Sequence, residues 1–183
     1  MSSMYVEKLI KTVILNSHSN NWEQAVTEWD IIDCEEDIEM QGACVCGKEN
    51  LKYLYTIKNR ITGNILFPIG SSCIRKFEQS NLNHEINIRE GMFKLYRALQ
   101  NNERIELSSE YFTRSLLLAL YEDGAFDTAY NKYDGEGDFA FMLKLFNNRN
   151  KDSISFAQWK KVNAIVAFSI KPYLRRNLKF SDR

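Results

Sequence analysis

Histidine, proline and glycine are scarce in this sequence, with 2 His, 2 Pro and 8 Gly among 183 residues. Two histidines leave little room for a histidine-built metal or acid–base centre. So little Pro and Gly excludes a collagen-like or low-complexity chain. No apolar run approaches the roughly 20 residues needed to span a bilayer. The common enzyme signatures are missing too: there is no Gly-rich phosphate loop ending in Lys-Ser/Thr, no His-Glu-x-x-His and no Gly-x-Ser-x-Gly. His18 sits in Asn16-Ser-His-Ser-Asn and reads as a polar loop residue, not a general base. The start, Met1-Ser-Ser-Met-Tyr-Val-Glu-Lys, lacks the charge, apolar stretch and cleavage site of a signal peptide. The expectation is a cytoplasmic, non-enzymatic protein with no membrane attachment. In a reducing compartment its 4 Cys are thiols or metal ligands before they are disulfides.

What is present is an ordinary apolar content with segregated charge. Lys+Arg and Asp+Glu both total 24, for a net charge of zero. Acids fill 22–40 (Glu23, Glu28, Asp30, Asp33, Glu35, Glu36, Asp37, Glu39) and lead again over 103–138. Bases dominate 48–76 through Lys48, Lys52, Lys58, Arg60, Arg75 and Lys76, and return in the tail from Lys144 to Arg183. Such blocks are either surfaces for separate partners or faces that neutralise one another within the fold.

The periodicity predicts a predominantly helical α+β fold in three segments: a helical N-terminal arm (1–40), a β-hairpin module (41–80) and an α-helical domain (81–183). Val6, Leu9, Ile10, Val13 and Ile14 fall at helical spacing. Asn21 offers an N-cap for a second helix carrying Trp22, Ala25, Val26 and Trp29 on one face, and the acids around Asp33 to Glu39 read as a solvated loop. Lys52 to Lys58 and Ile65 to Ile69 are strand-like around Asn59-Arg-Ile-Thr-Gly-Asn, with Pro68 suited to an edge. Further on, Ile88, Met92, Leu95 and Leu99 form a stripe. Ser108-Ser109 open a helix closed by Gly124, Asp138 caps the next, and Ser155 caps a last one that Pro172 ends. Asp134-Gly-Glu-Gly-Asp lacks the ligand spacing of an EF-hand and reads as a turn.

The chemistry gathers on sulfur. Cys44-Val-Cys-Gly47 is a tight turn able to aim Cys44 and Cys46 at one point, and Cys73 returns a third sulfur after the hairpin. Thiolates in this pattern suit a structural Zn²⁺, and a hairpin with almost no core of its own gains its shape from such a cross-link. Cys34, His84 or a water is the fourth ligand. Tyr53, Tyr55 and Phe67 alternate with Lys52, Lys58 and Arg60, followed by Arg75 and Lys76. Aromatic and basic residues sharing a face would stack bases and contact phosphates. On opposite faces, the aromatics would cover helices and the bases would merely be solvated.

The stretch Cys44-Val-Cys-Gly, Ile57-Lys-Asn-Arg-Ile-Thr-Gly-Asn and Ile69-Gly-Ser-Ser-Cys-Ile-Arg-Lys-Phe77 resembles a zinc-ribbon pattern of small bacteriophage and mobile-element proteins. The likeness extends loosely to Trp22-Glu-Gln-Ala-Val-Thr-Glu-Trp29. Relatives of this type often carry a further Cys or His inside the hairpin, where this chain has Tyr53, Tyr55 and Thr56. The resemblance implies a zinc-stabilised ribbon or treble-clef-like module in phage DNA metabolism or host takeover. Its partner would be nucleic acid, or a host nucleoprotein or defence nuclease that the acidic blocks engage as an inhibitor or adaptor would. A homo-oligomer is compatible with the sequence.

Overall fold

A computed structural model describes residues 4–181; the start Met1-Ser-Ser and the tail charges Asp182 and Arg183 lie outside the described residues. The fold is α+β and predominantly helical, with one small four-stranded sheet. The chain divides into two compact units: residues through Arg89 together with the chain from Lys179, and Glu90–Leu178.

In the first unit, α1 (Met4–Asn16) buries Leu9 and Val13. A one-turn helix, α2 (Trp22–Ala25), starts at the expected cap, with Asn21 accepting from the Gln24 N–H. The helix predicted to reach Trp29 stops there. A 3₁₀ turn (Val26–Glu28) follows, and Trp29 begins strand β1 (Trp29–Glu36). Tertiary pairing overrides helical spacing here, because β1 lies antiparallel along β2 (Tyr53–Asn59) from Trp29↔Asn59 to Glu36↔Tyr53. A bulge between Ile31 and Asp33 resets the alternation. β3 (Ile65–Ile69) completes the predicted hairpin and lies at the sheet edge, where Pro68 costs no ladder bond. β4 (Lys179–Phe180) pairs parallel with β1 on the other side, for a strand order of β3-β2-β1-β4. The hairpin expected at 41–80 is therefore joined by a strand from the expected arm.

The acidic stretch predicted as a solvated loop is partly interior. Glu36 and Asp37 are only 1% and 2% exposed. Glu36 pairs with Lys52 Nζ at 3.6 Å, and Asp37 accepts the backbone N–H groups of Glu39, Gln41 and Gly42 at 2.8–3.1 Å. A one-turn helix α3 (Ser71–Ile74) follows β3. The long helix α4 (Ser80–Gln100) then carries the division between the units within it.

The second unit is helical. α5 (Arg114–Glu122) starts at Thr113, whose hydroxyl accepts from the Leu116 N–H, five residues beyond the predicted Ser108 start. α6 (Glu136–Asn147) is preceded by Gly135 at its N-cap. Asp138 lies in its first turn and pairs with Lys161 instead of capping. Ser155 caps α7 (Phe156–Ile165) with the full capping box. Pro172 does not end this helix. A π-helical stretch (Val166–Ile170) runs without a break into α8 (Lys171–Asn177), so the proline, which has no N–H to give the turn before it, sits within a continuous helix directly after its widened stretch.

The hairpin tip is held by Asn59, which is fully buried. Its Oδ1 accepts from the N–H groups of Ile61 and Thr62 at 2.9 Å, and Gly63 takes φ +76 to close the turn. Its Nδ2 donates to Glu28 Oε2 at 2.7 Å. Glu28, 5% exposed, also accepts the backbone N–H groups of His18 and Ser19 at 2.7 and 2.8 Å. Thr62 Oγ1 and Asn64 Nδ2 in turn donate to the carbonyl of Asn16, the last residue of α1. The Ile-Lys-Asn-Arg-Ile-Thr-Gly-Asn motif is thus a clasp between hairpin, α1 and the 3₁₀ turn.

Burial alone would push the Glu28 carboxyl up; the Asn59 amide and the His18 and Ser19 N–H groups outweigh it and hold it below the ordinary carboxylate value. A depressed folded-state pKa gives stability that is full above the unfolded value and is lost as pH falls through the folded one. Glu28→Ala is expected to cost about 2–3 kcal/mol in urea unfolding at neutral pH by orphaning three donors. The gap between wild type and variant should narrow on acidification. A gap that widens there contradicts this role.

Candidate metal centre

Residues 42–51 fold back on themselves, with Gly42 and Leu51 bridged and the Leu51 N–H donating to the Gly42 carbonyl at 3.1 Å. At the tip, the Cys44 N–H donates to the Lys48 carbonyl at 2.8 Å and the Gly47 N–H to the Cys44 carbonyl at 2.7 Å. Gly47 takes φ +94, a left-handed geometry that a side chain would strain. This knuckle is pinned to the hairpin by the Val45 N–H, which donates to the Pro68 carbonyl at 2.9 Å. Cys73 arrives in α3, two residues after the first helical position, with its N–H on the Gly70 carbonyl at 2.9 Å.

The three sulfurs meet as the spacing predicts. Cys73 Sγ lies 3.6 Å from Cys44 Sγ and 3.5 Å from Cys46 Sγ, and all three lie within 4.8 Å of one another. All three cysteines are free thiols and buried. A disulfide needs about 2.05 Å between sulfurs. A tetrahedral ion with Zn–S bonds of about 2.3 Å holds its sulfurs about 3.8 Å apart. The observed spacing fits the edges of a single-ion tetrahedron, so Cys44, Cys46 and Cys73 are close enough to hold one metal ion.

The surroundings favour a shared negative charge. Cys44 Sγ accepts from the Gly70 N–H at 3.4 Å. A Cβ at Gly70 would sit 3.0 Å from the Leu51 side chain, so the position stays small while its amide faces the sulfur. The Cys44 thiol is drawn well below its ordinary value, first by the contact with the Cys73 thiol, against burial, and then by the N–H groups of Cys46 and Gly70. Cys73, as donor to Cys44 and in the same buried pocket, is pushed up. Cys44 and Cys73 hold their protons unequally, and a divalent cation would replace thiol protons at this site.

Cys34 does not join them. It lies in β1 opposite Tyr55, buried, with its Sγ 4.0 Å from the Glu35 carbonyl. Because the acidic segment is a strand and not a flexible loop, it has no freedom to deliver that sulfur. His84 is exposed on α4 and also lies outside the group. Beside the sulfurs lies a cleft of about 610 Å³, with Cys46 and Cys73 on its wall together with Tyr5, Lys48, Asn50, Ser72 and Lys76. Lys48 is a functional candidate that sequence reasoning missed at this site, although its place directly after the knuckle glycine was a signal.

The nucleic-acid candidates differ in exposure and in partners. Tyr55 is 0% exposed, so its ring offers no surface for a base. Tyr53 is half-buried with Lys52 Nζ 5.1 Å from its ring, and that same amine pairs with Glu36. Arg60 pairs with Asp30 at 3.4 Å and donates to the Thr27 carbonyl; Arg75 donates to Asn87 at 2.9 Å. Lys58 and Lys76 are exposed.

Comparison with known proteins adds no relative: no family model matches the chain, and no curated protein or solved structure matches it either.

Purified protein is expected to carry about one metal ion per chain by elemental analysis. Cys44→Ser, Cys46→Ser and Cys73→Ser should each lower that content, while Cys34→Ser should leave it unchanged. Chelation should lower Tm by about 5–10 °C. Loss of metal in Cys34→Ser alone would contradict the assignment.

Proposed function

We propose that this chain is a non-enzymatic zinc-binding protein of bacteriophage type, in which the metal is a structural cross-link and the folded unit engages nucleic acid or a nucleoprotein complex. The convergence of Cys44, Cys46 and Cys73 carries the reading. Zinc is the metal that suits an all-sulfur tetrahedral site in a reducing compartment, since it has no redox chemistry of its own. The ion would tie the knuckle to the turn after the hairpin, closing residues 44–73 into one rigid loop. Three sulfur ligands from the protein favour a structural role over hydrolysis, because catalytic zinc is more often held by His and carboxylates.

The binding surface is narrower than the sequence suggests, with Tyr55 interior and Lys52 and Arg60 held in ion pairs. The basic residues that support contact with phosphates are Lys48 and Lys76, exposed beside the metal centre, with Lys58 exposed on β2. A second reading, an inhibitor or adaptor for a host protein, loses Glu36 and Asp37 as surface charges. It keeps Glu122, Asp127, Asp134 and Glu136, which are exposed and share one cleft with Tyr121 and Tyr133.

Titration of short single- and double-stranded DNA and RNA across a salt series checks the first reading. The expected result is affinity that falls with salt, and a slope reduced by about two on changing Lys48 and Lys76 together to Glu. Salt-insensitive binding contradicts it. Retention of a single protein from a bacterial lysate by wild type, and not by a variant with Glu122, Asp134 and Glu136 changed to Lys, would favour the second.

A further inference from the structure

Among the described residues the cysteine group offers three ligand atoms, and a tetrahedral ion takes four. Three side chains that could complete it stand outside the group: Cys34 is fixed in β1, His84 is exposed on α4, and Glu49 lines the cleft without its carboxylate joining the sulfurs. Cys46 and Cys73 line an open cleft of about 610 Å³, a size within the roughly 300–1,000 Å³ of small-molecule sites.

The cleft has a character of its own. Tyr5, Val6 and Leu9 of α1 give it an apolar wall, and its charged lining is Lys48 and Lys76 with the one acid Glu49. Neither lysine has an acidic partner within 4.0 Å among the described residues, and Lys8 lies close by, its Nζ 3.4 Å from where a Cβ on Gly47 would sit. Three thiolates make a soft site that prefers a further sulfur to a hard oxygen anion. The lysines match a carboxylate.

We propose that the fourth position of this metal centre is filled from solution by a small thiol that also carries a carboxylate, its sulfur meeting the ion held by Cys44, Cys46 and Cys73 and its carboxylate resting on Lys48 and Lys76. This rests on the metal-binding reading, and it draws on the same two lysines, Lys48 and Lys76, that the nucleic-acid reading gives to phosphates. Binding forms one sulfur–metal bond, the thiol proton passes to solvent, the water at that position leaves, and no electron is transferred. Ser72 and Asn50 on the same walls supply hydrogen-bonding groups for the rest of such a molecule.

The test uses the full-length protein loaded with cobalt(II), whose thiolate-to-metal absorption reports the number of bound sulfurs. Cysteine and glutathione are expected to raise that band by about a third, one thiolate added to three, with cobalt still eluting with the protein on gel filtration. 2-Mercaptoethanol should give the same rise at higher concentration, and succinate none. Lys48→Ala and Lys76→Ala should each weaken glutathione by about two- to fivefold and leave 2-mercaptoethanol unchanged. A band unmoved by every thiol, a response to succinate, or cobalt stripped into the small-molecule fraction overturns the proposal while leaving the three-cysteine centre standing. Failure to bind cobalt at all overturns the metal reading itself.

Discussion

The meeting of three sulfurs is the constraint on which the first unit depends. The knuckle at Cys44–Gly47 has almost no apolar residues of its own, and its loop is held to the sheet by a few backbone bonds and by Asp37. It meets the turn after β3 through the contact of Cys44 and Cys46 with Cys73 at 3.5–3.6 Å, together with the Val45 N–H on the Pro68 carbonyl and the Gly70 N–H on Cys44 Sγ. Three buried thiols packed together are a poor arrangement for their own sake, since each is a weak hydrogen-bond group with few partners. The same three around a divalent ion become charge-compensated ligands, and the free energy of binding adds to that of folding.

Around that point the unit is organised by buried carboxylates with complete sets of donors. Glu28 gathers Asn59, His18 and Ser19, and Asp37 gathers three backbone amides of the loop that presents the knuckle. A buried charge left unpartnered is costly, so each of these acids fixes the segments that satisfy it. The N-terminal acidic block is therefore in good part an internal scaffold for the hairpin and the knuckle. The exposed acids of the second unit, such as Glu122, Asp134 and Glu136, are surface charges in the ordinary sense.

Much of this was legible in the residues. The hairpin, its turn and its edge proline could be read from strand formers around Asn59–Asn64, and the sulfur triad from Cys-x-Cys-Gly followed by a returning Cys. Local signals carried those features. Long-range pairing carried the rest: β1 reads as a helix end and an acidic loop because nothing local reveals that β2 lies beside it, and β4 is two residues recruited from the far end of the chain. The exclusion of Cys34 follows from the same pairing. Tyr55 alternates correctly for a strand, but its burial depends on what covers the sheet, which spacing alone does not specify. The clasp of Glu28 on Asn59 joins residues 31 apart in the chain, and nothing in the polar residues around either one signals it.

X-ray absorption at the zinc edge of the purified protein tests the central claim most directly. The account predicts bound zinc with at least three sulfur neighbours at about 2.3 Å. A first shell of nitrogen and oxygen alone, or no zinc edge at all, would contradict it.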